Sequence, residues 1–319
     1  MRDKIYLIGF LLGAGLLLFL GRNLLQGSAL LTWSLTFGGT TSVGVLGVLL
    51  YRLQLQLQAS RRELARKEAE LSIALEVQRA LFPRRFPQGG GLEFSAVCIP
   101  AGGISGDYYD VIQLPDRRLI FAIADISGKG ISAAIIMANL QALLRSLAST
   151  GPAPSEVCRK LNQHLHQVTD ASKFATFFYA EWHPVERRLS YVNAGHNPPL
   201  LLGNGRRLRL DQGGMPLGMF PMSEFKTGEI SLQPEELLVL YSDGITEAAS
   251  ANGEEFGDCR LESLVEAHSR KPLREIQQLI LDRVHEWAPN EQGDDMTLVL
   301  VKATDPSLDP AGSPVQEAT

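Results

Sequence analysis

The chain has 319 residues, 45% of them hydrophobic, with a formal net charge of −5 and a pI near 5.8. That composition excludes a wholly disordered chain and lacks the basic footprint of a nucleic-acid binder, so no nucleic-acid partner is expected. Cys98, Cys158 and Cys259 lie far apart, without the paired spacing of a zinc knuckle or a disulfide framework, and read as reduced thiols.

The first elements in chain order are apolar. No charged residue occurs from Ile5 to Gly21, a length just sufficient to span a bilayer at roughly 1.5 Å per residue. A second uncharged stretch from Asn23 to Tyr51 is diluted by Gln, Ser and Thr, but Trp33 and Tyr51 suit membrane interfaces. The sequence thus predicts a membrane anchor over 1–51 with transmembrane helices at about 5–21 and 29–51. A cleaved signal peptide followed by one anchor is the alternative, weakened by the lack of a small-residue cleavage site. Arg52, Arg61, Arg62, Arg66 and Lys67 follow the last span. Positive charge stays inside, so the expectation is a multi-pass protein of the inner (cytoplasmic) membrane with its catalytic-looking body in the cytoplasm. The same residues suit anionic membrane lipid.

Residues 52–82 contain no Gly or Pro and predict a linker helix that Pro83 ends. Leu57, Leu64 and Leu71 recur every seven residues, with Gln78 continuing the register. That spacing fits a homodimeric coiled coil, or equally a helix packed on its own domain. Beyond Pro83, short apolar runs predict strands at 119–124, 175–182, 189–193, 237–241 and 296–301. Helices are predicted at 131–148, 154–168, 261–268 and 273–287, the last with Leu273, Ile276, Ile280, Val284 and Trp287 on one stripe. Strands and helices come in blocks, which predicts an α+β domain with antiparallel sheets over 83–303. Residues 304–319, rich in Pro, Ser and Ala, are expected to be a disordered tail.

Chemistry is carried by aspartates at the ends of these elements. The stretch "FAIADISGKGISAA" superficially resembles a phosphate-binding loop. Ile123 stands where a Walker A loop needs its first Gly, and Gly130 where it needs Ser or Thr. What the stretch does offer is Asp125 at the end of an apolar strand. "SGDYYD" contributes Asp107 and Asp110, "YSDGITEA" contributes Asp243, and "GDDMTLVLV" contributes Asp294 and Asp295. Antiparallel neighbours bring strand ends and starts together, so these carboxylates can meet at one sheet edge. Buried like charges require cations, and an all-oxygen donor set selects hard ions such as Mg²⁺ or Mn²⁺.

In chain order, "GDYYD", "DISGKGISAA", "YVNAGHNPPL", "MPLG", "YSDGITEA" followed by "FG", and "DDMT" resemble the PPM-type (2C-type) metal-dependent protein serine/threonine phosphatases of the SpoIIE/RsbU branch. The resemblance covers about residues 75–302, including "VQRALFP" in the linker. It implies an αββα sandwich of two antiparallel sheets flanked by helices, with two Mn²⁺ or Mg²⁺ ions at one edge. Asp107 and Asp125 would bind the ions, with the Ile126 backbone carbonyl as a further ligand, and Asp243 and Asp294 would complete the catalytic set. Asp110, Asp295, Lys129 and His196 fall within the motifs in supporting roles. Eukaryotic members carry a His two residues after the equivalent of Asp125; Ser127 here is a poor general acid. The resemblance further implies a phosphoserine or phosphothreonine substrate on a STAS-type anti-anti-sigma protein of a partner-switching pathway. A catalytically inactive, membrane-tethered binding module of the same fold is the alternative.

Overall fold

The computed structural model describes residues 29–87, 89–170, 172–289 and 292–305, together with Gly13, Gly15, Leu16, Phe19 and Gly21. The expected span at 5–21 lies almost entirely outside the described residues, as does nearly all of the expected tail. Two compact units divide between Glu70 and Leu71.

Helix α1 (Ala29–Arg79) runs without a break through the second expected span and the linker. Val45, Val48 and Leu49 on its N-terminal half are each more than half exposed. Among the described residues, one helix, Ile131–Ala148, is long and apolar enough to cross a membrane, and one of its faces is buried in a protein core. Helix α1 ends at Arg79 rather than Phe82. Residues 80–82 form a turn ahead of Pro83, because a residue before proline is driven out of the helical region. The heptad stripe divides. Leu57 and Leu64 are exposed, whereas Gln78 is buried and hydrogen-bonded to Ser105, so the end of the stripe is committed to its own domain.

The second unit is a four-layer sandwich. One sheet has the order β1 (Leu92–Ile99), β11 (Met296–Ala303), β10 (Leu237–Tyr241), β6 (Leu200–Gly203), β7 (Arg206–Arg209). The other has the order β2 (Tyr108–Gln113), β3 (Leu119–Ile126), β4 (Ala175–His183), β5 (Arg188–Ala194), β8 (Gly213–Gly214), with β9 (Gly228–Ser231) also on β5. All pairings are antiparallel except the two-residue contact of β5 with β8, which departs from the expected pattern.

Strand period two builds three cores at once. In β3, Leu119, Phe121 and Ile123 enter the core between the sheets, where they meet Phe94, Phe178, Leu238 and Val299. Ile120, Ala122 and Ala124 point the other way, into a core closed by α2 (Ile131–Ala148) and α3 (Pro154–Val168). On the far side, Val239, Leu298 and Leu300 pack against α5 (Gly257–His268) and α6 (Leu273–Trp287). A short helix, α4 (Asp243–Thr246), follows β10. Strands buried on both faces read as continuous apolar runs, which is why β3, β10 and β11 are legible in the sequence.

Candidate active site

The aspartates gather at one open end of the sandwich because of strand register. Tyr108 pairs with Ala124 across β2 and β3, so Asp107 stands one step further on, beside Asp125. By alternation, Asp125 continues the inward row of Leu119, Phe121 and Ile123, and Asp107 continues that of Tyr109 and Val111. In the opposite sheet Tyr241 pairs with Leu298, and the ladder is extended by Ser242 N–H donating to Thr297 O at 3.0 Å. Asp243 follows that end of β10, and Asp294 precedes β11. Asp125 lies within β3, while Asp107, Asp243 and Asp294 adjoin strand ends, and the strands concerned belong to two different sheets.

Their electrostatics show mutual repulsion. Burial, and then the Asp125 charge, pushes the Asp107 carboxyl well above the usual carboxylate range. Burial, then Asp243 and Asp294, pushes Asp125 up to about 7, and burial with Asp294 raises Asp243. Asp107 Oδ2 is buried without a hydrogen-bond partner among the described residues. Such an atom is costly unless something cationic meets it. Ile126 O lies close to the residue before Asp107: a Cβ at Gly106 would stand 3.1 Å from it. An oxygen-only donor set with an orphaned, buried carboxylate oxygen fits a hard divalent cation. Among the described residues, no three His, Cys, Asp or Glu side chains are gathered tightly enough to hold one ion.

The sequence profile of the family described as stage II sporulation protein E (SpoIIE) matches residues 115–304. The chain belongs to the SpoIIE family. It is 34% identical over 239 residues to phosphoserine phosphatase RsbU of Bacillus subtilis (strain 168), an alignment covering 74% of this chain and 70% of RsbU. Among solved structures, the SiaA-PP2C domain of Pseudomonas aeruginosa superposes with a TM-score of 0.66 at 19% identity, covering 76% of this chain and 99% of that one. RsbX in complex with magnesium superposes with a TM-score of 0.52 at 18% identity, covering 68% and 98%. At such identities these two structures speak for the PP2C-like fold.

The remaining motif residues of this SpoIIE-family chain have traceable jobs. Asp295 accepts from Ala101 N–H at 2.8 Å, Ser105 Oγ–H at 2.8 Å and Gly106 N–H at 2.7 Å. It thereby ties the loop before Asp107 to the start of β11. Asp110 is buried and receives both arms of the Arg145 guanidinium at 2.8 Å. Lys129 Nζ lies 3.0 Å from Asp294 Oδ2 and donates to Gly293 O at 2.6 Å, placing one positive charge against the acidic cluster.

His196 is buried, shares a 2.8 Å hydrogen bond between its Nδ1 and Thr176 Oγ1, and is pushed down to a pKa of about 4 by burial. It is a neutral structural residue behind the Asp125–Thr176 strand pair. Ser127 Oγ accepts from Phe174 N–H at 2.9 Å, so it pins the loop after Asp125 to the segment before β4. Gly128, at φ 95°, makes the turn that follows, a conformation that side chains with a Cβ rarely adopt.

Sequence reasoning missed Arg145, Gln78 and Ser105. Arg145 sits in the last turn of α2, and no local pattern ties it to Asp110. Gln78 was placed in the heptad register, whereas its amide accepts from Ser105 N–H at 2.9 Å and donates to Ser105 O at 2.7 Å. The one available signal was an amide in a position where leucine would continue the stripe.

Proposed function

We propose that this chain is a membrane-anchored, metal-dependent protein phosphatase that hydrolyses phosphoserine or phosphothreonine on a regulatory protein of the STAS type, within a partner-switching pathway. The enzyme class, phosphoprotein phosphatase, follows from the family and from its phosphoserine phosphatase relative. The observation that carries the metal reading is the set of four aspartates at one end of the sandwich, with Asp107 Oδ2 buried and unpaired.

Asp107, Asp125, Asp243, Asp294 and the Ile126 carbonyl would hold two Mn²⁺ or Mg²⁺ ions; the magnesium in the RsbX structure supports that choice. When bound, such ions supply Lewis-acid charge and an activated water for in-line attack on phosphorus. The chain's own part is to hold the donors rigidly. Asp295 fixes the approach to Asp107 through three hydrogen bonds, and Ser127 fixes the loop after Asp125. A serine hydroxyl is a poor general acid at neutral pH, which argues against Ser127 as the proton donor; Lys129 sets a cation beside Asp294. A full-length chain incubated with a phosphoserine-bearing STAS protein is expected to release phosphate only when Mn²⁺ or Mg²⁺ is supplied. Absence of release with either ion favours an inactive binding module instead.

The anchor rests on the uncharged stretches before Tyr51, the exposed apolar side chains on α1 and the basic residues after Tyr51. A reporter fused after Arg62 is expected to be active in the cytoplasm; activity confined to the outside would reverse the topology.

A further inference from the structure

A cavity of about 590 Å³ opens beside the end of α1, away from the aspartates' own loops. Its charged lining is entirely basic: Arg79, Arg84 and Arg85, with no carboxylate. None of these three guanidinium groups makes a hydrogen bond or ion pair with the described residues, whereas most other arginines of the folded domain are paired to acids, as in Arg145 with Asp110 and Arg206 with Glu236. The rest of the wall is apolar, with Phe82 and Val97 prominent, and Tyr109 and Cys98 contribute a hydroxyl and a thiol. Three exposed, unpartnered guanidinium groups on the lining of a largely apolar hollow match a planar or tetrahedral oxyanion joined to a hydrophobic body.

We propose that this cavity binds an organic phosphate, its dianionic head held by Arg79, Arg84 and Arg85 and its apolar body lying against Phe82 and Val97. The site is placed to be felt at the aspartates. Gln78, on its lining, holds both main-chain groups of Ser105, and Cys98 Sγ lies 3.3 Å from Ser105 Oγ. Ser105 Oγ in turn accepts from Asp107 N–H at 2.9 Å. An occupant thus touches a residue two hydrogen-bonded steps from Asp107, which makes the cavity a control site for whatever that carboxylate holds.

The test is independent of turnover. The full-length chain in neutral detergent, with EDTA so that no divalent ion bridges a phosphonate to the aspartates, is titrated calorimetrically with phenylphosphonate and with glycerol 3-phosphate. Saturable binding of at least one probe at one site per chain is expected. Arg84→Ala with Arg85→Ala should weaken it by about tenfold or more, the usual consequence of losing a charge-assisted contact. Arg79→Ala should act in the same direction, and Asp125→Asn should leave the affinity unchanged. Tighter binding of phenylphosphonate identifies an aromatic or apolar metabolite as the ligand type, while equal or tighter binding of glycerol 3-phosphate identifies a lipid-like headgroup. No saturable binding of either probe, or equal affinity in the arginine variants, overturns the proposal. A variant that binds no probe is checked for native hydrogen-exchange protection of β1 and β2, so that unfolding is not mistaken for loss of the site.

Discussion

Replacing Asp125 by Asn is expected to abolish phosphate release while leaving the ion-free domain at least as stable as the parent. Asp125 continues the inward row of β3 and stands beside Asp107, and its carboxyl is raised by burial and by Asp243 and Asp294. Loss of a donor to the proposed cations would remove Lewis-acid stabilisation worth several kcal/mol, so the rate should fall by roughly a thousandfold or more. Without ions, the same substitution removes one of the crowded carboxyl groups whose charged forms burial and neighbours disfavour, and keeps a side chain of nearly the same shape. Activity and stability therefore move in opposite directions, a trade-off expected where a site is held under strain for function. The measurement pairs phosphate release in Mn²⁺ with urea unfolding in EDTA. Near-parental turnover would remove Asp125 from the centre; a large loss of stability in EDTA would make it a structural residue.

The second large effect concerns Asp110 and Arg145. Asp110 is 1% exposed, and besides the guanidinium it receives the Tyr108 hydroxyl at 2.7 Å and Val111 N–H at 2.9 Å. Arg145→Met would leave a buried carboxylate without its counter-charge. Breaking such a pair from one side costs about 3–5 kcal/mol, and the lower end is expected because Arg145 is half-exposed and two neutral donors remain. Adding Asp110→Asn to Arg145→Met should restore part of the loss, since the cost lies in the orphaned charge rather than in the missing contact. Urea unfolding of the single and double variants reads this directly. If the double variant is no more stable than Arg145→Met alone, packing of the arginine stem on α2 explains the loss instead. Turnover per folded molecule and the Mn²⁺ requirement should not change, which would separate Asp110 from the aspartates of the centre.

Much of this protein was legible from local pattern. Helices α2, α3 and α6 begin and end where their sequence predicts, because each carries an apolar stripe that starts at a Gly or Pro. Strands β3, β4, β5, β10 and β11 announce themselves as apolar runs, since both their faces are buried. Strands β1 and β2 escaped: polar residues such as Glu93, Ser95 and Asp110 interrupt their apolar runs, and their pairing with β11 and β3 makes them strands. The short strands β6 to β9 are held by neighbours rather than by propensity.

The same division holds at the site. Residue type and position along the chain were enough to bring Asp107, Asp110, Asp125, Asp243, Asp294 and Asp295 together as candidates and to suggest a hard cation, while the choice of Asp107, Asp125, Asp243 and Asp294 among them came from the resemblance to the phosphatase family. Which aspartate does what was decided by register and by partners. Asp110 and Asp295 are neighbours in sequence to Asp107 and Asp294 and identical to them in chemistry. One is claimed by Arg145 from a helix 35 positions along, and the other by Ala101, Ser105 and Gly106 at the opposite end of the domain. Likewise the seven-residue stripe of the linker carries no instruction about what lies against it; only the folded domain turns Gln78 inward to Ser105 and leaves Leu57 and Leu64 outside. Local sequence sets a residue's chemistry and the face it occupies, whereas its partner comes from distant chain segments that only the packed sheets bring within hydrogen-bond reach.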